Sequence, residues 1–410
     1  MKLNENLEKY ASMLLRVGVD LQDGQELLIA AAPEAAALVR KMTECAYKMG
    51  AKRVQVMWSD AICDRLDCEY QSEEELAYVP DWRAEMVNAP ARRGCAYVRI
   101  LSEDPAALAG VDAKRVAIRR KALSTATKES SECRMTGKSP WLVAAYPGAE
   151  WALKVFPDDL ESKAMDALYT VILQASRADG CDPAAAWAAH QKNLTQRVKW
   201  LNSQHFDRLH YKNSLGTDFT VGLAKNHVWE GGASLTPDGR SFVPNMPTEE
   251  VFTAPDRFSA EGTLAASLPL SHGGALIENF TITFHEGRAV SFTAEKGGEA
   301  LQSILDTDEG AKYLGEVALI PADSPISRMG LLFYNTLFDE NASCHFALGA
   351  AYPENVEGGM EMSKEELKEA GLNDSLTHVD FMIGTADLEI TGIRADGSEI
   401  PVFRRGVWAR

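Results

Sequence analysis

The sequence lacks an apolar run of the ~20 residues that a membrane helix requires, so no bilayer-spanning helix is expected. Its first residues, MKLNENLEKYASMLLRVG, carry Asn and Glu where a signal peptide needs an apolar centre, and they predict an amphipathic helix instead. Net positive charge is also missing. With 42 Lys and Arg against 59 Asp and Glu, the chain stands at −17 at pH 7. Such a chain repels phosphate backbones and anionic lipid surfaces, so neither nucleic acid nor a membrane is expected as a partner. Paired cysteines are absent: there are seven, scattered, with no CxxC, and Cys63 and Cys68 lie closest. That pattern fits reduced thiols in a cytoplasmic protein rather than a disulfide framework.

Several catalytic signatures are missing or broken. There is no GxGxxG, and the one Gly-Lys-Ser, Gly137 to Ser139, has Glu132 where a phosphate loop needs glycine. No GxSxG nucleophile elbow occurs. His285-Glu286 begins an HExxH, but Ala289 occupies the second histidine position. Cys344 is next to His345, and adjacent side chains do not face each other, so a thiol–imidazole dyad is not expected.

At 410 residues the chain exceeds one ordinary core, and two domains are expected. Residues 1–190 alternate between the two regular structures. Glu26–Ala31 (ELLIAA), RVQVMW, CAYVRILS and WLVAAYP read as strands, and the segments from Pro33 to Gly50 and from Asp112 to Lys128 read as helices. This order predicts an α/β domain with a parallel sheet. Two Ala-rich helices follow, Leu160–Ser176 and Pro183–Asn202, read as bridging helices. From 191 to 410 short alternating strands dominate, with hairpin turns expected at Leu215-Gly216, Glu286-Gly287 and Asp396-Gly397. This predicts a β-rich α+β domain. All eight histidines lie from His190 onward, which points to that half for the chemistry.

Two histidines, His345 and His378, sit in apolar, small-residue surroundings rather than on a polar face. His378-Val379-Asp380 lies in a strand-like run, so its imidazole and carboxylate project to one side. Converging donors of this kind suit a metal ion. Carboxylates able to join them occur in three places. Glu249 and Glu250 immediately precede an apolar strand, and only one of them can face inward. Glu316 opens a strand that reads as fully buried, and Asp339-Glu340-Asn341 precedes His345.

The stretches MPTEEVFTAP, ENFTITFHEGRAVSFTAEKG, YLGEVALIP, FDENASCHFALGAAYP and HVDFMIGT, in this order across about residues 240 to 390, resemble the thermophilic aminopeptidase T family. These are bacterial metallo-aminopeptidases that include aminopeptidase S. The resemblance implies a dinuclear metal site with ligands Glu250, Glu316, His345, Tyr352, His378 and Asp380. Tyr352 would otherwise read as a core or rim aromatic.

The resemblance further implies two divalent metal ions per chain, of Zn, Co or Mn, with an activated bridging water between them; a carboxylate must bridge cations held that close, and Asp380 and Glu316 are the candidates. It implies short peptide substrates with a free N-terminus, and a homodimer. Glu249 or Glu340 is expected to recognise the α-amine or assist proton transfer. Two other readings remain open: a metal- or peptide-binding module without turnover, and a dinuclear hydrolase of another amide or ester.

Overall fold

The computed structural model describes residues 6–410. The chain divides into two compact units. One comprises the residues up to Gln191 together with Ala233–Thr248, the other Lys192–Gly232 together with Glu249–Arg410.

In the first unit β1 (Glu26–Ala31), β2 (Arg53–Trp58), β3 (Ala96–Leu101) and β4 (Trp141–Ala145) form a parallel sheet in the order β2-β1-β3-β4. The central strand β1 is an almost unbroken apolar run with five of six residues buried, as a parallel strand covered on both faces must be. The helix Ala36–Lys48 turns Leu38, Val39, Met42, Cys45 and Ala46 inward at helical spacing. Three helices between β2 and β3 have no counterpart in the sequence reading. One of them, Ala61–Tyr70, buries only Cys68 and leaves Ile62 and Tyr70 exposed, so it carries no clear apolar stripe. The long helix Pro183–Gln204 runs across the division of the chain.

The second unit opens with the hairpin β5 (Phe206–Lys212) and β6 (Asp218–Gly222). The chain then returns to the first unit for the two-residue strands β7 (Ser234–Leu235) and β8 (Ser241–Phe242). There the following residues line the outer edge of β4: Val143 N–H donates to Pro244 O, and Met246 N–H to Val143 O. After this excursion come β9 (Val251–Thr253), β10 (Glu261–Ala265), β11 (Leu270–His272), β12 (Ala275–His285) and β13 (Arg288–Lys296). They are followed by β14 (Leu314–Leu319), β15 (His345–Gly349), β16 (His378–Met382), β17 (Glu389–Arg394), β18 (Glu399–Arg404) and β19 (Val407–Trp408).

Nine of these strands form one sheet, β11-β12-β10-β6-β5-β17-β18-β19 with β13 paired to β12. The β12–β13 turn places Glu286 at φ 49° and Gly287 at φ 80°, the left-handed pair that a two-residue hairpin of matching twist requires. A second sheet, β16-β15-β14-β9, is antiparallel throughout. One face of it packs on the larger sheet. The Phe346 ring lies 5.1 Å from Tyr211 and 5.3 Å from Phe219, and Phe381 lies 6.0 Å from Phe280.

Alternation then dictates what the opposite face carries. Phe346 and Leu348 fill the core while His345, Ala347 and Gly349 turn away from it; likewise Val379 and Phe381 go inward while His378 and Asp380 do not. All five residues of β15 are buried, so both faces of this strand are covered.

The register of β14 shifts between Leu314 and Glu316. Gly315 sits in that irregularity, where a Cβ would lie 2.2 Å from Ala350 O and 2.4 Å from Gly349 O. Both obstacles are backbone and cannot swing aside. Gly315→Ala is therefore expected to destabilise the second unit by about 2 kcal/mol or more and to move Glu316. Denaturant melts read the first effect, and divalent-cation content reads the second.

Candidate metal centre

Three strands of the smaller sheet place a row of side chains on its outer face. Glu316 pairs directly with Ala347, and Ala347 with Asp380. Two carboxylates thus flank a methyl group, and the small residue between them leaves room for what they hold. His345 pairs with Ala318 and Met382, and His378 pairs with Gly349, at either end of the same face. From the sheet edge, alternation along 249–253 sends Glu250 to this side together with Phe252, as the pairing of Phe252 with Ala318 requires. Of the two adjacent glutamates, Glu250 is the one that faces the other donors, although Glu249 is buried as well.

The ligand atoms converge in two groups that share Glu316: Glu250, Glu316 and His345 form one, and Glu316, His378 and Asp380 the other. His345 Nε2 lies 3.5 Å from Glu250 and 3.9 Å from Glu316. His378 Nε2 lies 3.0 Å from Glu316 and 3.2 Å from Asp380 Oδ1. Both imidazoles are held from behind: His345 Nδ1 donates to Ser343 O at 3.2 Å, and His378 Nδ1 to Ala350 O at 2.7 Å. A backbone carbonyl on Nδ1 selects the tautomer whose Nε2 carries a lone pair aimed at the carboxylates, the arrangement of a histidine metal ligand. Tyr352 closes the group, its ring 4.8 Å from His378 and 6.3 Å from Phe252.

A fourth carboxylate faces the same space. Glu340 follows the short helix Thr336–Asp339 and is pushed well above its ordinary range by burial and then by Asp380, Glu250 and Glu316. Glu250 is raised to about 8, first by burial and then by Glu316. For His378, burial works against the charged ring, but the adjacent Asp380 and Glu316 carboxylates outweigh it and raise the imidazole to about 11. His345 is raised in the same way, with Asp380, Glu250 and Glu316 overcoming desolvation. Asp380 is held below its usual range because His378 outweighs its burial. Burial and the surrounding carboxylates raise the Tyr352 phenol, so the chain alone keeps it protonated.

These groups fit divalent cations. Among the described residues, Glu250, Glu316 and Asp380 form ion pairs with the two imidazoles only. Counting Glu340, four carboxylates face two imidazoles, and in the chain alone Glu340 and Glu250 are driven toward their neutral forms. Asp380 Oδ1 is buried and receives no aligned hydrogen bond, although His378 Nε2 stands 3.2 Å away. Burying unmatched carboxylates costs several kcal/mol each, and hard oxygen with imidazole donors is the set that Zn, Co and Mn accept.

Glu249 takes a different place. Its backbone N–H donates to Asn341 Oδ1 at 2.7 Å, and alternation turns its side chain away from the centre. Asn341 itself, Ala347 and the carbonyls of Ser343 and Ala350 were not singled out by sequence reasoning. The backbone carbonyls leave no residue-type signal, and Asn341 was visible only as the neighbour of Glu340.

Two converging groups of donors that could hold divalent cations, set on an antiparallel sheet, suggest a metalloprotein, and comparison with known proteins gives its family. The model of the thermophilic metalloprotease family (M29) matches residues 3–408, and the chain belongs to that family. It is 45% identical over 406 residues to aminopeptidase AmpS of Bacillus subtilis, covering 99% of each chain. It is 44% identical over 403 residues to aminopeptidase T of Thermus thermophilus, covering 98% of each. A solved structure of wild-type AmpT from Thermus thermophilus superposes with a TM-score of 0.93 at 43% identity, over the full length of both chains. A 2,5-dihydroxypyridine dioxygenase from Pseudomonas putida, at 14% identity and a TM-score of 0.56, shares the fold alone.

Proposed function

We propose that this protein is a metal-dependent aminopeptidase that removes N-terminal residues from short peptides at a dinuclear centre. The observation that carries the reading is the buried convergence of two backbone-tethered imidazoles on Glu250, Glu316 and Asp380. Glu250, Glu316 and His345 would hold one cation, and Glu316, His378 and Asp380 the second, with Glu316 shared between them. Tyr352 is the sixth ligand of this reading, its phenol turned from a neutral group into a donor by adjacent positive charge. When bound, such cations polarise the scissile carbonyl and make water acidic enough to attack it.

The remaining work falls to the chain. Glu340 is the carboxylate facing Asp380, Glu250 and Glu316 that is left over once the ligands are assigned. It accepts a proton at its carboxylate from the attacking water and returns it to the leaving amide nitrogen. Phe252 and Tyr352 form an apolar wall beside the ligands that limits water access. The same reading extends to Zn, Co or Mn as the cations and to a homodimer as the working unit. It also extends to the cytoplasm as its place, which seven free cysteines support.

The test is hydrolysis of aminoacyl-anilides and their N-acetylated counterparts, before and after chelation and cation add-back. Cleavage that needs the free amine, disappears with chelator and returns with Zn, Co or Mn is expected. Cleavage that survives complete cation removal would overturn the assignment, and a loaded protein that cleaves none of them would favour a binding module or another amide substrate.

A further inference from the structure

Asn341 stands between two limbs of the metal centre and reaches both. Its side chain is fully buried. Oδ1 accepts the Glu249 N–H at 2.7 Å, while Nδ2 donates to Leu337 O at 3.0 Å and lies 3.5 Å from Glu340 Oε1. The first bond grips the backbone one residue before Glu250, at the point where the chain has just passed from the first unit into the second. The second closes the turn that carries Glu340.

The preceding residue, Asp339, ties this turn in the other direction. Its buried carboxylate accepts the N–H groups of Phe333 at 2.7 Å and Asn335 at 3.0 Å. Glu340 is thus flanked by one residue fastened backwards along the chain and one fastened across to the strand of Glu250.

We propose that Asn341 is a positioning residue for the reaction, whose carboxamide holds the Glu250 ligand and the Glu340 carboxylate in one fixed register without touching cation or substrate. The proposal rests on the aminopeptidase reading and on the role given there to Glu340. Only a carboxamide suits the position. The task needs an acceptor at one end and a donor at the other, in a planar group short enough to stay buried. An aspartate has the acceptor and lacks the donor, and a leucine has neither.

This difference separates the two limbs. Asn341→Asp keeps the grip on Glu249 and loses the donor toward Leu337 and Glu340. It is expected to retain Zn²⁺ affinity within about twofold while kcat falls at least about tenfold and KM stays within about twofold. Asn341→Ala releases both limbs. It is expected to weaken Zn²⁺ binding by about tenfold or more, as loss of an outer-shell partner does, and to lower kcat by about 10²-fold, the scale of an ångström-sized misplacement. In the metal-free full chain, amide exchange over residues 249–253 is expected to accelerate in Asn341→Ala and to stay at the wild-type rate in Asn341→Asp.

Asn88 supplies the comparison for a purely structural role. It is similarly buried and satisfied, donating to Ala126 O at 2.8 Å and accepting from Ser130 N–H at 3.1 Å, in the first unit. Asn88→Ala is expected to lower the melting temperature with no change in kcat per folded molecule. The proposal is overturned if both Asn341 variants behave as Asn88→Ala does, losing stability alone. It is also overturned if Asn341→Ala keeps Zn²⁺ affinity, amide exchange and kcat within twofold. Should wild-type protein cleave no anilide, the functional reading fails, while Zn²⁺ affinity and amide exchange still decide whether Asn341 holds the Glu250 limb.

Discussion

Glu340→Gln is expected to lower kcat by about 10²–10⁴-fold, the usual contribution of a positioned proton carrier, while the protein still binds its cations. The substitution keeps shape and hydrogen-bonding capacity and removes only the proton-accepting function. The expectation rests on Glu340 being the one carboxylate that faces Asp380, Glu250 and Glu316 without belonging to either group of converging ligand atoms. Steady-state kinetics on an aminoacyl-anilide, with cation content measured on the same sample, decide it. A kcat within about threefold of wild type would dismiss the proton-carrier role. A raised KM with kcat preserved would instead assign Glu340 to reading the α-ammonium group of the substrate. Glu249, whose side chain turns the other way, is not expected to reproduce either result as Glu249→Gln.

Removing the cations is expected to lower the melting temperature of the second unit by roughly 10–20 °C. A ligand present at a hundredfold its Kd stabilises the folded state by about 2.7 kcal/mol per site, so two sites contribute about 5 kcal/mol. For a unit of ~200 residues each kcal/mol corresponds to ~2–4 °C. Without cations Glu340 and Glu250 are driven toward their neutral forms, a change already contained in that binding free energy. Scanning calorimetry of the full chain, with and without chelator, reads the shift. Since no ligand comes from the first unit, a transition belonging to its parallel sheet is expected to stay in place. If neither transition moves, the cluster does not hold cations at the buffered concentration.

The strands of Glu316 and His378 were legible as apolar runs broken by a carboxylate or an imidazole, whereas His345 was noted only for its apolar, small-residue surroundings. Glu26–Ala31 and Arg53–Trp58 coincide with their structural strands, the first as a continuous apolar run and the second through its β-branched residues. The three turns at Leu215-Gly216, Glu286-Gly287 and Asp396-Gly397 do join paired strands, because positive-φ geometry leaves its mark in residue type. The choice of Glu250 over Glu249 came from the family resemblance alone, since strand phase is set by pairing with Ala318 and not by local sequence. Tyr352 had no chemical signal at all apart from the family resemblance. Its ring comes within 4.8 Å of His378 across a stretch of sequence that includes the helix Lys364–Glu369. The return of Ala233–Thr248 to the first unit was equally silent. Its three prolines and the Pro237-Asp238-Gly239 turn mark an irregular stretch but not its destination, which is fixed by backbone hydrogen bonds to the edge of β4 that any sequence can make.

The pairing of β15 with β16 has a consequence for how the molecule reaches its native state. His378 and Asp380 face the centre only when Gly349 meets His378 and Ala347 meets Asp380. A slip of one residue would turn both ligands into the core and bring Val379 and Phe381 out. Keeping Val379 and Phe381 buried already favours the native pairing. A cation held by His378 and Asp380 would add to that preference, because the slipped strand offers it neither group. The proposed ligands would then serve the register of the strand as well as the reaction.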